Sequence, residues 1–467
     1  MTAVSEERSD DLAGAVEVRE AEEHDVPAIH RIFETVYGGD YPYQGFFDDR
    51  WLKRSIYDDD MLMLVAELDG EIVGTASVVC DVGAHSDLIG EFGRLVVHPQ
   101  ARGRGIGKML MARRVDYTES RLHVGIVENR TVHAFSQRAS DAHQFRPVGF
   151  LPLKLQFGDR ESVALYVRHF GVALSLRRNH PHIAPEVYPL AHMALSGVGL
   201  PVDAIVDEHA PAYPHEEDFE QEELTAEGMP SLLRIERGRL RNREVFGPMR
   251  LHYGFFKLSG RAATYLVARQ SGRSGVAPAQ GPIAGAIGFL HDEVEHSVRV
   301  FELIAPDDSA VRFLLQRVVE RCQTELGVQY IEIDVAADAP RMQRTLLELG
   351  FVPAAYVPAL VFHEVERLDV VKMVRLLAEP RFEGLALTDG ARGIAEQVMG
   401  ALAQHAVLPR VERAIGRLSL FRGLSDEQAT RLATACAVCE LGDGAPLFAA
   451  GEEADRAHIV IEGAVQV

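Results

Sequence analysis

The run Leu95-Val96-Val97-His98-Pro99-Gln100-Ala101-Arg102-Gly103-Arg104-Gly105-Ile106-Gly107-Lys108 carries the strongest chemical signal in the chain. An apolar strand ends at Pro99, the chain turns through Gly103, Gly105 and Gly107, and a helix begins. Glycines let a backbone approach a ligand closely, and the free N–H groups at a helix start attract anions. Such a turn can cradle a diphosphate, with Arg102, Arg104 and Lys108 supplying positive charge. The plainer use of the same residues is a tight strand-to-helix connection. Two other phosphate-binding patterns are excluded. The G-x-x-x-x-G-K-[ST] spacing fails, and a hairpin upstream means the domain does not open as a βαβ dinucleotide unit.

Other reactive residues offer less. Cys80, Cys322, Cys436 and Cys439 are too few for a disulfide framework. Cys436-x-x-Cys439 lacks a second pair or a nearby histidine and reads as buried thiols rather than a zinc site. His180-Pro181-His182, His209 and His215 show no carboxylate pattern that defines a metal centre, so no metal is expected.

The elements that must position the glycine turn follow from periodicity. Ala15–Glu20 alternates like a strand, and Asp25–Val36 has helical spacing. Met61–Glu67 and Ile72–Cys80 form a hairpin across Asp69-Gly70. Glu91–His98 is a strand, Lys108–Leu122 a helix, His123–Val127 a strand, Thr131–Ala142 a helix, and Leu151–Tyr166 holds a last strand pair. A similar order returns after Leu251: strands at 263–270, 282–290 and 297–305, a helix at 310–326, a strand at 328–335 and a helix at 341–349. Self-similarity at roughly 205–210 residues is too long for a solenoid and predicts two like domains in tandem. Arg367–Arg417 reads as helical, and the acidic run Glu216–Glu223 as a solvated face.

Length and charge bound the rest. The chain has 467 residues, 47% apolar and 25% charged, which is ordinary for two to four packed domains. Lys and Arg number 48 against 69 Asp and Glu, a net charge of −21. That surplus opposes nucleic acid and anionic membranes, so any anion site must be local. Met1–Gly14 is acidic with no apolar core, and no long apolar run exists, which predicts a cytoplasmic protein.

The Val-x-Pro-x-x-Arg-Gly-x-Gly-Ile-Gly run, after a hairpin and before a helix, closely resembles motif A of the GNAT N-acetyltransferase superfamily. The likeness extends in order and spacing over roughly Val16–Gly171. It implies that Arg102, Gly103, Arg104, Gly105, Ile106, Gly107 and Lys108 bind the diphosphate of an acyl-CoA. It also implies that the backbone of Leu95, Val96 and Val97 pairs with the pantetheine arm in a splay beside the strand. Glu91, four residues before Leu95, stands where many members place a catalytic base; a solvated strand-end carboxylate is the alternative. Tyr41 and Tyr43 fall in the region of the acceptor wall, or serve as packing aromatics. Asn129 matches the start of the later Asn-x-x-Ala-x-x-x-Tyr signature and would contact CoA. Serine (Ser136 or Ser140) stands where its tyrosine acid would fall, and the nearby Gly-Phe pair is Gly149-Phe150. His133 or Tyr117 are substitutes, though each is more often structural.

The second copy resembles the family in outline only, since Ala305-Pro306-Asp307-Asp308-Ser309-Ala310-Val311 replaces the cradle and aspartates would repel a diphosphate. Leu418–Val467, with Leu420-Phe421-Arg422-Gly423-Leu424-Ser425 and Ile461-Glu462-Gly463, resembles the front of a cyclic-nucleotide-binding domain whose phosphate cassette would lie beyond Val467.

The expected fold class is α+β, with tandem GNAT-like mixed-sheet domains, flanking helices and a partial β-roll. The expected boundaries are a tail at 1–14, the acetyltransferase domain at 15–171 and a linker at 172–245. The degenerate copy at 246–366, a helical connector at 367–417 and the partial nucleotide-binding module at 418–467 follow. The implied function is acetyl transfer from acetyl-CoA, as co-substrate, to a primary amine on a small molecule or a protein lysine. A non-enzymatic acyl-CoA or cyclic-nucleotide sensor is the alternative. Acceptor, acyl length and oligomeric state do not follow from the sequence.

Overall fold

The structure, a computed structural model, describes residues 16–80, 87–215, 218–225, 244–246, 263–271, 281–306 and 308–425, with parts of 428–466. The chain resolves into two compact units, Met1–Ala395 and Glu396–Val467. The expected tail at 1–14, Asp307, the 272–280 loop and Glu452–Asp455 lie outside the described residues.

The first run of elements is β1 (Val16–Glu20), α1 (Val26–Tyr37), α2 (Asp49–Ile56), β2 (Met61–Leu68), β3 (Glu71–Cys80), β4 (Ile89–Val97), α3 (Ile106–Thr118), β5 (Val124–Arg130), α4 (Phe135–Ala142), β6 (Arg146–Phe157) and β7 (Asp159–His169). Between the runs lie β8 (His182–Ile183), α5 (Tyr188–Gly197) and β9 (Ile205–Val206). The second run is β10 (Phe219–Thr225), β11 (Val245–Phe246), β12 (Ala263–Gln270), β13 (Ile283–Asp292), β14 (Ser297–Ile304), α6 (Val311–Thr324), β15 (Tyr330–Ala336), α7 (Pro340–Glu348), β16 (Val352–His363) and β17 (Glu366–Leu376), followed by α8 (Asp389–Arg417).

All these strands except β8 and β9 join one mixed sheet, ordered β1-β2-β3-β4-β5-β7-β6-β16-β17-β15-β14-β13-β12-β10, with β11 on β15. Read outward from the centre, both halves repeat the same pairings. Only β4–β5 and β14–β15 are parallel; the other neighbours run antiparallel. Helices cover both faces of the first half. Ile29, Phe33, Phe46 and Leu52 from α1, the loop that follows it and α2 pack on Met63, Val65 and Val96. On the opposite face Ile106 and Leu110 of α3 pack on Leu64, Ala66 and Ala76. A buried layer of this kind is the main source of stability.

The halves meet at one register pair, Gly149 with Ala355. A Cβ on Gly149 would lie 2.1 Å from that of Ala355, so only glycine allows the approach. Around it the contacts are reciprocal. Arg160 Nε donates to the Leu153 carbonyl at 2.6 Å, and Arg160 Nη1 reaches across to the Glu295 carbonyl at 2.9 Å. Arg367 Nε donates to the Ala359 carbonyl at 2.7 Å, and its Nη2 reaches across to the Asp87 carbonyl at 2.8 Å. Leu153 and Ala359 share a positive φ (49° and 48°), and each N–H donates to a side chain of the following strand, Ser162 and Asp369. A two-fold-like seam inside one chain has the logic of an isologous dimer interface.

Several expectations are corrected here. Residues 367–376 are not helical: they form β17, buried on both faces, which hides the alternation that marks a half-exposed strand. Residues 377–388 then run back over α4, where Ala386 N–H donates to the Thr131 carbonyl (2.7 Å) and Gln137 bonds Ala386 and Thr388. The expected linker 172–245 contains β10, so the acidic run is partly a sheet-edge strand; charge on an edge deters pairing with other chains. Helix α2, capped by Asp48 on Arg50 and Trp51, was not expected. In the second unit Val411, Ile415 and Ala433 are buried together, Cys436 packs beside them, and Cys439 is exposed rather than buried. Among the described residues of 418–466 there are a 3₁₀ turn at Ser419–Phe421, helical residues at Gln428, Ala429, Leu432 and Ala433, and no strand. No helix among the described residues is long and apolar enough to cross a membrane.

His169 sits at the seam with Nε2 2.7 Å from the Pro358 carbonyl. Burial pulls its imidazole down to about 4; the Pro358 carbonyl opposes that shift and Arg367 reinforces it. An unfolded histidine titrates near ~6.5, so the unfolded chain binds this proton first as pH falls. The stability contribution is therefore complete above about pH 6.5 and lost progressively toward pH 4. Urea midpoints measured across that window should fall less steeply for His169→Gln than for wild type; parallel slopes would refute the assignment.

Candidate functional site

The turn after β4 is built as its residues demand. Pro99–Ala101 makes a 3₁₀ turn capped by His98, and Gly103 and Gly105 take φ values of 82° and 78°. Lys108 and Met109 donate to the Gly105 carbonyl, which starts α3. The five preceding amides, Gly103 through Gly107, donate to no protein acceptor among the described residues. A Cβ at Gly103 or Gly105 would meet nothing within 4 Å, so the turn opens onto free space. Arg102, Arg104 and Lys108 are exposed around it, and Arg102 Nε is 3.3 Å from the Val97 carbonyl. Unpaired amides at a helix start, ringed by cations, form an anion site on an otherwise acidic chain.

Beside the turn the sheet parts. β4 pairs in parallel with β5 only from Ile89–Val124 to Glu91–Ile126. Beyond that no pairing joins Phe92–Val97 to Val127–Arg130 among the described residues, so the β5-side edge of Leu95, Val96 and Val97 has no strand partner. The cause is an extra residue in β4: the β3 register shifts between Thr75–Val96 and Ser77–Gly93, with Arg94 at φ 51°. Such a bulge turns side chains that would alternate onto one face. Arg94, 2% exposed, pairs through Nη2 with Glu91 Oε1 at 2.9 Å. Burial works against the Arg94 charge, but Glu91, then Tyr41 and Tyr43, outweigh it and hold the guanidinium above its usual range. Arg114 of α3 pins the bulge from below, donating to the Ser77 (3.2 Å) and Gly93 (3.0 Å) carbonyls. Burial, with the neighbouring Arg94 second, brings Arg114 down to about 9.

Glu91 therefore lies in the splay with one oxygen fixed on Arg94. Its Oε2 has no protein partner among the described residues, and the side chain is 30% exposed. A carboxylate held this way can accept a proton from a group entering the gap. Tyr41 is buried against Phe33 (4.9 Å between centroids), Tyr37 (4.8 Å) and Phe46 (5.6 Å), and burial raises its phenol pKa well above 10. It is a packing aromatic that also neighbours Arg94. Tyr43 is half-buried beside it, 5.4 Å away. Arg130, at the end of β5, is held by both oxygens of Glu161 and lies 4.2 Å over Phe157.

Asn129 is 1% exposed, and its amide donates to Ser140 Oγ at 3.1 Å. Its side chain thus serves α4, and any contact with a ligand in the splay falls to its backbone. The chain leaves helix α4 after Ala142 through Gln144, at φ 63°, and buried Phe145. That pair, not Gly149-Phe150 inside β6, follows the helix, and of the two serines Ser140 is the one buried against Asn129. Tyr117 packs with the α3 layer and under Arg113, and His133 is exposed ahead of α4. Sequence reasoning missed Arg94 and Arg114; an arginine inside an otherwise apolar strand, three residues after a glutamate, was the available signal. Among the described residues no group of three His, Cys, Asp or Glu could hold a metal ion.

Known proteins are similar to the first part of the chain. The family described as "Acetyltransferase (GNAT) domain" matches residues 59–150. An uncharacterized N-acetyltransferase of Archaeoglobus fulgidus is 34% identical over 113 residues, 23% of this chain and 76% of the relative. An aminoalkylphosphonate N-acetyltransferase of Salmonella typhimurium is 29% identical over 106 residues, 22% of this chain and 68% of that protein. Among solved structures, a putative acetyltransferase from Salmonella typhimurium with its cofactor acetyl-CoA is similar at 21% identity. That match covers 33% of this chain and 94% of the other, with a TM-score of 0.31. The chain belongs to the GNAT acetyltransferase family. Members of this family use acetyl-CoA as acyl donor.

The two positive-φ glycines and the helical one differ in what they tolerate. Gly105→Ala should cost about 1–2 kcal/mol through left-handed backbone strain. Gly107→Ala, whose Cβ would meet Leu95 at an ordinary 3.5 Å, should be neutral or slightly stabilising. Denaturant unfolding of both variants checks the contrast; equal losses would contradict the turn geometry.

Proposed function

We propose that residues 15–171 form an acyl-CoA-dependent N-acyltransferase domain that transfers acetyl from acetyl-CoA to a primary amine by direct attack in a ternary complex. The observation that carries the reading is the run of five unpaired amides, Gly103–Gly107, at an open, cation-ringed helix start. Arg102, Arg104 and Lys108 would neutralise the donor's diphosphate beside those amides. The exposed edge of Leu95, Val96 and Val97 would pair with its pantetheine arm, and the backbone of Asn129 would border the same gap. The bound donor supplies an activated acetyl thioester. Glu91 Oε2 would take the proton from the acceptor ammonium, directly or through one water, while Arg94 fixes the carboxylate. Amides of the parted strand would polarise the thioester carbonyl. A thiolate with a pKa near ~8.5 can take its proton from solvent, so a serine in place of the tyrosine acid does not forbid turnover.

The second half, including residues 246–366, is proposed as a degenerate copy of the same domain, an assignment supported by the repeated pairings and the reciprocal seam. Its start is earlier than 246, since β10 takes the place of β1. Arg299 stands at the third parallel pair of β14 with β15, where Glu91 stands in β4 with β5, so the base is replaced by a cation. Where the glycine turn would fall, Ala305, Pro306 and Asp308 lead into a helix capped by buried Ala310. For 418–467 the resemblance to a cyclic-nucleotide module supports a regulatory role. The alternative, an acyl-CoA sensor without transfer, is favoured by one observation: a serine, Ser136 or the buried Ser140, stands where the tyrosine acid would be.

Calorimetry with acetyl-CoA, followed by thiol release on a panel of amines, separates the readings. Gly105→Glu should abolish acetyl-CoA binding with the fold retained. Glu91→Gln should lower kcat by about 10²–10⁴-fold with donor affinity unchanged. Binding without turnover across broad acceptors supports the sensor, and unaltered affinity in Gly105→Glu refutes the cradle.

A further inference from the structure

The two halves repeat one another, yet their splays differ in one respect. In the first half the pairing of β5 with β4 ends at Ile126, and no described strand lies against Val127–Arg130 on that edge. In the second half the pairing of β15 with β14 ends at Ile333. There the gap is filled: β11 lies antiparallel on β15, with Val245 opposite Val335 and Phe246 opposite Asp334. Ala336 N–H donates to the Glu244 carbonyl at 2.8 Å.

The backbone groups involved are equivalent. Thr131 N–H donates to the Ser162 carbonyl and Ala337 N–H to the Asp369 carbonyl, each toward the antiparallel neighbour. Strand alternation then turns the preceding N–H, of Arg130 and Ala336, to the opposite edge. Arg130 faces the open splay; Ala336 is taken by Glu244.

The filling strand is anchored on its own account. Val245 and Phe246 are 1% and 6% exposed, as core residues are. Glu244 Oε2 accepts from the Tyr213 hydroxyl at 2.8 Å, and Tyr213 N–H donates to Thr345 Oγ1 at 2.8 Å. Behind the strand, Arg299 pairs with Asp334 at 3.1 Å, and Lys372 bridges Asp334 and Glu332 at 2.7 and 2.9 Å. These opposite charges pair with one another beside the strand.

We infer that Glu244–Phe246 occupy, in the second half, the groove that takes the pantetheine arm in the first, so the chain carries one acyl-CoA site rather than two. The inference rests on reading the first half as an acyl-CoA domain and the second as its copy. The strand acts as a permanent internal ligand: it satisfies the β15 edge that an acyl carrier would otherwise satisfy.

The test uses the full chain. Because Glu244 and Ala336 form a hydrogen-bonded pair, Val245 and Val335 are the adjacent non-bonded pair, with Cα atoms about 4.5 Å apart. That separation suits a disulfide. A Val245→Cys/Val335→Cys variant should crosslink under mild oxidation, read by peptide mapping, and bind one acetyl-CoA per chain by calorimetry both oxidised and reduced. Absence of the crosslink in a folded chain overturns the inference, as does a stoichiometry of two. A crosslinked chain that binds no acetyl-CoA supports the filled groove and counts instead against the donor reading of the first half. Should the double variant fail to fold, amide exchange of Ala336 in the unaltered protein decides. Slow exchange supports the strand, and exchange at loop rates overturns it.

Discussion

The parallel pairing of β4 with β5 stops after Glu91 and Ile126, and buried guanidinium groups hold it stopped. One extra residue at Arg94 breaks the register, and Arg114 fixes the resulting bulge through the Ser77 and Gly93 carbonyls. Without that interruption the strands would zip together, and no backbone edge would be left for a ligand. The same bulge places Glu91 and Arg94 as neighbours, so a single irregularity ends the pairing and positions a carboxylate–guanidinium pair beside it. The glycine turn lies at the mouth of this gap because β4 leads directly into it. Geometry of the strand and charge of the helix start thus converge on one anionic, extended ligand.

The second half keeps a bulge in β14, where the register with β13 shifts between Gly288–Glu302 and Phe289–Val300, yet its parted edge is occupied. It keeps the sheet order and the seam, with Arg367 reaching across as Arg160 does, but β11 lies on its β15 edge, and Arg299 stands at the third parallel pair, where the first half has Glu91. The seam and buried apolar layers are common to both halves. An ionic chain also crosses the seam: Lys154 contacts Glu128 at 2.5 Å and Glu332 at 3.3 Å. Burial opposes its charge, yet Glu128 and Glu332 together hold the ammonium above its normal range. Removing one member would leave a buried charge uncompensated, so the halves depend on each other electrostatically as well as sterically.

Much of the first half was legible because its signals are local. The Asp69-Gly70 turn, the alternation of Ile72–Cys80 and the glycine run each fix structure within a few residues. The duplicated order was legible for the same reason. Three features were not. β17 reads like a helix because both its faces are buried, and β11 is too short to carry any periodicity. The bulge at Arg94 depends on partners, Glu91 on the same strand and Arg114 on a helix, whose meeting is a tertiary fact. The serines at positions 136 and 140 were visible as a departure, but the burial of Ser140 against Asn129 was not, because that contact joins a strand to a helix.

Transverse-optimised ¹⁵N spectra recorded during an acetyl-CoA titration test the central claim most directly. Grip of the donor by the helix-start amides predicts that the resonances of Gly103, Gly105 and Gly107 move together and saturate at one equivalent. Saturable binding that leaves all three unmoved would place the diphosphate elsewhere and contradict the account.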